Sequence, residues 1–123
     1  TLTSRKAFSA SLSIVVVSSV LGEFGAAGEV VYSTCKAAQL GFVKSFSKEL
    51  GAMNGRVNAV TPGWIETPMN AVFSAEDRDL ALAEIPAGRF GRVEEVASAI
   101  TYLMGQDAAY MNGAVLKIDG GWM

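Results

Sequence analysis

The sequence contains no histidine and a single cysteine, Cys35. The first absence excludes histidine-based nucleophilic triads and histidine-ligated metals, and the second excludes an internal disulfide or a thiolate zinc cage, so no metal site is expected. Charge is sparse: 18% of residues carry it, and 12 acidic against 10 basic side chains leave a net charge of −2 at pH 7. Such a balance supplies no broad basic surface, and nucleic acid is not an expected partner. Uninterrupted apolar runs stop at four residues, as in Ile14 to Val17, against the roughly 20 that cross a bilayer, so no membrane span is expected. What is abundant is apolar surface, at 50% of residues, too much for a disordered chain. A length of 123 residues fits one domain or part of one. The opening Thr1-Leu2-Thr3 lacks an initiator Met and the basic and long apolar regions of a secretory signal, so a processed or partial product is expected.

The pattern along the chain alternates strands with helices. Ile14-Val15-Val16-Val17 is β-branched and non-alternating, as expected of a central strand covered on both faces of a parallel sheet. The glycine-punctuated stretch from Ser18 to Glu29 reads as a loop at that strand's carboxyl end. From about Val31 to Ala52, Val43, Phe46, Leu50 and Met53 recur at helical steps, which predicts a long amphipathic helix. Gly41 inside it costs roughly 1 kcal/mol relative to Ala, which suggests another helix packing closely there. Asn54-Gly55 predicts a turn, Arg56 to Thr61 a second strand, and Pro62-Gly63 its stop. The excursion from Trp64 to Gly91 has room for one or two brief helices and has the length of a lid or binding loop. Glu94 to Met104 predicts a second main helix, ended by Gly105, and Ala114 to Ile118 a last strand. The fold class is therefore α/β with a parallel sheet and its sites at the strands' carboxyl ends. Three strands and two main helices are few for such a sheet, and a missing half is expected.

Tyr32 and Lys36 stand four residues apart, on one face of the predicted helix. A phenol in water ionises near pH 10, so using one as an acid and base near neutrality takes roughly 4 kcal/mol of electrostatic stabilisation. The ammonium of Lys36, the helix N-terminus and a bound oxidised nicotinamide all act in that direction. Ser19, just past the first strand, would hold a substrate carbonyl beside the phenol. In isolation a Tyr and Lys so spaced are more often a surface pair, and a Ser at a strand end more often serves its loop.

Taken together, Ser19, the loop from Val20 to Gly28, Tyr32 and Lys36 resemble the short-chain dehydrogenase/reductase family. The likeness continues through Arg56-Val57-Asn58-Ala59-Val60-Thr61-Pro62-Gly63-Trp64-Ile65-Glu66-Thr67, Gly88-Arg89-Phe90-Gly91, Asn112-Gly113 and Asp119-Gly120-Gly121. It covers nearly the whole chain from about Ser13, and within the family is strongest to the group typified by β-ketoacyl-acyl-carrier-protein reductases. The resemblance implies a Rossmann-like doubly wound sheet, with residues 1–123 as the C-terminal catalytic part of its single domain. It implies Tyr32 as general acid and base, Lys36 stabilising the phenolate and binding the nicotinamide ribose, and Ser19 polarising the carbonyl. Pro62, Gly63 and the Ile65 backbone would face the nicotinamide end of NADP or NAD, and Thr67 would reach its amide or the pyrophosphate. Phe24, Trp64 and Phe73 would line the pocket of a small carbonyl or alcohol substrate.

The family's glycine-rich phosphate turn, TGxxxGxG, does not occur in this sequence, and Gly22, Gly25 and Gly28 do not replace it. The N-terminal half of the domain, from this or another polypeptide, is thus an expected partner, and these residues alone are expected to bind dinucleotide poorly. The resemblance also implies a homodimer or homotetramer, with the Tyr32 helix in one interface and the last helix, last strand and Trp122-Met123 in another, in the cytoplasm or an organelle matrix. A sugar or polyol dehydrogenase and a non-catalytic scaffold subunit remain open alternatives. Cys35 is expected to serve packing, and the patch from Glu76 to Asp79 to be a solvated loop.

Overall fold

The apolar run anticipated around Val15 is the first strand of the structure, a computed structural model that describes residues 11–123. Strand β1 (Leu12–Val17) is followed by helix α1 (Leu21–Phe24), helix α2 (Val30–Gly51) and strand β2 (Gly55–Pro62). A 3-10 turn (Pro68–Val72), helix α3 (Ala75–Glu84), helix α4 (Val93–Met104) and a second 3-10 turn (Gln106–Ala108) then lead to strand β3 (Val115–Ile118). The strands are all parallel, in the order β1-β2-β3, with Ile14 opposite Val57 and Ala59 opposite Val115.

Side chains alternate between the faces of a strand, and here both faces are apolar. Leu12, Ile14 and Val16 pack with Val57, Ala59 and Val115 against Leu40, Val43 and Leu50 of α2. Val15, Val60, Leu116 and Ile118 pack against Val96, Ile100 and Leu103 of α4. This two-sided cover explains why β1 reads as a continuous run. Among the described residues β2 is the middle strand, with Val57 through Thr61 buried, and β1 is half-buried with its other edge open, so its expected central position depends on a neighbour outside them. An apolar run reports helices above and below a strand and carries no information about neighbours in the plane.

Side-chain amides and a guanidinium tie the amino ends of the strands together. Asn112 accepts from the Val57 N–H at 2.9 Å and donates to the Ser47 carbonyl at 2.8 Å, linking the turn before β3 to β2 and α2. Arg56 donates to the carbonyls of Leu103, Met111 and Gly105 at 3.0, 3.2 and 3.3 Å, satisfying groups that a helix C-terminus leaves unpaired.

Glycines account for two further departures from expectation. The segment from Ser18 to Glu29 contains the single turn α1, because Gly22 acts there as a contact and not as a breaker. A Cβ on Gly22 would fall 2.7 Å from the Lys36 carbonyl carbon and 2.9 Å from the Lys36 Cβ, so its lack of a side chain lets α1 lie on α2. Gly41, expected at a helix–helix contact, has nothing within 4 Å of its Cβ position among the described residues. Cys35, expected to serve packing, is exposed among the described residues. The excursion after β2 is more ordered than a solvated loop: the Ser74 hydroxyl accepts from the Asp77 N–H at 3.1 Å and the Asp77 carboxylate from the Ser74 N–H at 3.4 Å, a capping box that starts α3. No described helix is long and apolar enough to cross a membrane.

The loop before α4 is held by charge. Arg89 pairs with Glu95 at 2.7 Å, and the Arg92 N–H donates to the same carboxylate at 2.8 Å. These two contacts, the Arg89 pair first, pull the Glu95 carboxyl down from 4.5 to about 2. A carboxylate so depressed stabilises the fold fully above its ordinary range and loses that contribution as pH falls toward its folded value. The thermal midpoint of Glu95→Gln is therefore expected below that of the parent at pH 7, with the gap closing between about pH 4.5 and pH 2; a constant gap would contradict the pairing. Gly22→Ala is expected to cost roughly 1–3 kcal/mol in denaturant unfolding, the usual penalty for overpacking.

Candidate active site

The carboxyl ends of the three strands converge, and backbone bonds continue the ladder past them. The Ser18 N–H donates to the Val60 carbonyl at 2.9 Å, Val20 to Pro62 at 3.1 Å, and Gly63 to Ile118 at 2.9 Å. Ser18 turns its hydroxyl onto the Lys36 carbonyl at 2.8 Å, fixing α2 against the end of β1. Ser19, buried beside it, accepts from the Leu21 N–H at 3.1 Å. That bond uses a lone pair of the hydroxyl and leaves its proton to be donated elsewhere.

Tyr32 lies in the first turn of α2, where unpaired backbone N–H groups create positive potential. Lys36, one turn on, places its Nζ 5.6 Å from the centroid of the Tyr32 ring and donates to the Val17 carbonyl at 3.3 Å. The ammonium is thus tethered to the strand end and stands beside the phenol. Ser19 and Tyr32 open on one cleft of about 310 Å³, whose other walls include Gly63, Trp64, Phe73 and Trp122. Lys36 does not reach the surface of that cleft and meets it through Tyr32.

The residues expected at the nicotinamide end lie along the chain leaving β2. Pro62 ends the strand opposite Ile118, and Gly63 packs so closely on the chain after β3 that a Cβ would sit 2.8 Å from the Asp119 Cβ and 3.4 Å from the Trp122 ring. Ile65 bridges in parallel to Gly91, and its carbonyl accepts from the Asn70 amide at 2.6 Å. Among the described residues its N–H donates to no acceptor. The Thr67 side chain makes no capping bond to the 3-10 turn that follows it.

Three aromatics gather around Trp64 beside the cleft. Trp64 meets Phe73 edge-on at 5.4 Å, stacks on Phe90 at 5.7 Å and lies tilted against Trp122 at 5.8 Å. Phe24 is elsewhere, which corrects its expected place in the pocket: it ends α1, and its ring lies under the Lys117 ammonium at 5.3 Å, in a separate groove with Leu40 and Gly41. Trp122, expected only at a subunit interface, and Met69 are cleft residues that sequence reasoning missed. The available signal for Trp122 was Asp119-Gly120-Gly121 just before it, a turn able to fold the following residues back over the strand ends.

Comparison with known proteins identifies the family. Residues 3–123 match the family described as Enoyl-(Acyl carrier protein) reductase. The chain is 49% identical over 109 residues to the 3-oxoacyl-[acyl-carrier-protein] reductase FabG of Thermotoga maritima, covering 89% of this chain and 44% of that protein. It is 40% identical over 108 residues to the protein of the same name from Escherichia coli, with 88% and 44% covered. The uncharacterized oxidoreductase YmfI of Bacillus subtilis is 45% identical over 109 residues, with 89% and 45% covered. The chain spans less than half the length of these curated relatives. With a parallel sheet covered on both faces and a cleft at its carboxyl ends, it belongs to the short-chain dehydrogenase/reductase family, similar to its 3-oxoacyl-[acyl-carrier-protein] reductases.

Proposed function

We propose that this chain is the catalytic part of a nicotinamide-dependent reductase that converts the 3-oxo group of an acyl thioester to a hydroxyl, with Ser19, Tyr32 and Lys36 as its working residues. The observation that carries this reading is the meeting of the Ser19 hydroxyl and the Tyr32 phenol on one cleft, with a tethered ammonium beside the phenol ring. Ser19 donates a hydrogen bond through its free O–H to the substrate carbonyl oxygen and orients it, keeping its proton. Tyr32 gives its phenolic proton to the same oxygen as negative charge develops there. Lys36 stabilises the phenolate that results, and the helix N-terminus adds to the same field.

NADP or NAD, when bound, supplies the hydride to the carbonyl carbon. The chain fits the nicotinamide end of that cofactor: the unpaired Ile65 N–H offers a donor to the carboxamide, Thr67 has an uncommitted side chain, and the Lys36 ammonium is near enough to Tyr32 to serve the ribose. Pro62 and Gly63 form the floor beside it. For the adenosine end the described residues offer no glycine-rich turn, and the outer edge of β1 is open among them. The N-terminal half of the domain, supplied by the same or another polypeptide, is the element that would pair with β1 and carry the phosphates.

The apolar walls formed by Trp64, Phe73, Met69 and Trp122 support an acyl chain over a polyol, whose hydroxyls would lose hydration against them. Exposed Val30, Val31 and Phe42 on α2 supply apolar surface for a homodimer or homotetramer, and the empty space outside Gly41 suits the close approach of a second helix.

In the assembled enzyme, Tyr32→Phe is expected to lower kcat at least ~100-fold, the scale of general acid catalysis, while NADPH or NADH still binds by fluorescence titration. Near-parental turnover would refute the acid role, and failure of the parent to bind either dinucleotide would point instead to a scaffold subunit. Reduction of keto-sugars but not of 3-oxoacyl thioesters would overturn the substrate class. Gly41→Leu is expected to shift the sedimenting species to a smaller oligomer; an unchanged distribution would remove α2 from the interface.

A further inference from the structure

The chain leaving β2 is tied to the loop before α4 by two backbone bonds. The Gly91 N–H donates to the Trp64 carbonyl at 2.9 Å, and the Glu66 N–H donates to the Gly91 carbonyl at 2.8 Å. Together they make the parallel bridge between Ile65 and Gly91. In such a bridge the bonds on one strand come from the neighbours of the bridging residue, whose own N–H and C=O turn to the other side. Gly91 also makes room for the Ile65 side chain, since a Cβ there would fall 2.7 Å from the Ile65 Cδ1. The Ile65 N–H and carbonyl therefore share one side, the N–H free and the carbonyl accepting from the Asn70 amide at 2.6 Å.

Asn70 is only 8% exposed, and a buried amide is unfavourable unless it finds partners. Its own 3-10 turn does not require the side chain. The Asn70 N–H already donates to the Thr67 carbonyl at 3.0 Å, the Phe73 N–H donates to the Asn70 carbonyl at 3.1 Å, and Pro68 has no N–H to satisfy. The amide is committed instead to a peptide five residues back, and Asn70 itself lines the cleft that Ser19 and Tyr32 share. The bridge to Gly91 thus holds the Ile65 peptides from one side, and the Asn70 amide holds them from the other.

A pyridine carboxamide presents an acceptor oxygen and an NH2 donor in one plane. Ile65 offers the matching pair, its free N–H and the carbonyl lone pair that Asn70 leaves unused. We propose that Asn70 is a positioning residue for the nicotinamide ring: by holding the Ile65 carbonyl it orients the two peptide groups that receive the carboxamide. The inference rests on the reductase reading above and adds to it the side chain that sets the angle of the ring against Tyr32.

The test uses titration calorimetry on the assembled enzyme. It compares the preferred dinucleotide, NADH or NADPH, with the same molecule lacking its nicotinamide, ADP-ribose or the 2′-phosphate of ADP-ribose. The parent is expected to bind the dinucleotide more tightly. Asn70→Leu removes the donor while keeping an apolar side chain of similar size, and Asn70→Asp keeps the shape but sets a carboxylate against the carbonyl. Each is expected to weaken the dinucleotide by roughly 3- to 10-fold, the weight of one hydrogen bond, and to leave ADP-ribose binding unchanged. A residue serving the fold alone would weaken both ligands alike. The two variants differ in charge and polarity, so a packing defect peculiar to one does not recur in the other. Equal weakening of both ligands in both variants overturns the assignment of Asn70, as does an unchanged ratio of the two affinities. A parent that binds neither ligand overturns the inference together with the reductase reading, an outcome distinct from both.

Discussion

Lys36 is the point on which the site depends. Its carbonyl receives the Ser18 hydroxyl, its ammonium is bound to the Val17 carbonyl, and Gly22 of α1 presses on its backbone. These contacts come from the strand end, the loop after it and the following helix. They fix the rotation of α2 about its axis, and that rotation decides where a residue one turn earlier points. Tyr32 is exposed enough that little of its own packing would hold it. Its position is inherited from the crowding at Lys36, much as a hand is placed by the elbow.

A comparable division of labour runs through the sheet. The amino ends of the strands are closed by three polar side chains, buried Asn58, half-buried Arg56 and exposed Asn112, which satisfy backbone groups of β2, α2 and α4. Asn58 donates to the Met111 carbonyl at 3.0 Å and accepts from the Ala114 N–H at 2.9 Å, so the approach to β3 is set by a side chain of the central strand. Polar groups at the carboxyl ends are left partly free instead: Ser19 keeps a proton and Ile65 an N–H. Fully satisfied polar networks confer rigidity, and free donors confer reactivity. This sheet has one of each, at opposite ends.

Much of this was legible in the residues. Continuous β-branching announced β1, helical steps from Val43 to Met53 announced α2, and Asn54-Gly55 and Pro62-Gly63 bracketed β2. The shared face of Tyr32 and Lys36 follows from helix geometry alone, and their joint occurrence with Ser19 carries the family resemblance. Tertiary contact was harder to read. Gly22 looked like a loop glycine because nothing local marks a residue as lying against Lys36, fourteen positions away. The same holds for Gly41, whose cost was visible but whose Cβ position meets nothing within 4 Å among the described residues. Ser74 and Asp77 carried a local capping signal that an expectation of solvated charge obscured. Phe24 and Trp122 exchanged places for one reason: the direction of a side chain after a turn is set by backbone torsions, and composition does not encode them.

The open edge of β1 has a bearing on how such a chain survives synthesis. Its outer N–H and C=O groups face no strand among the described residues, and such an edge, flanked by Ile14, Val15 and Val16, would template whatever extended segment met it before its own neighbour did. The edge carries no proline or lysine between Leu12 and Val17 to discourage a wrong encounter. Speed of pairing with the correct strand then becomes a quality-control problem for the cell, decided by local concentration and the order of folding before catalysis is in question.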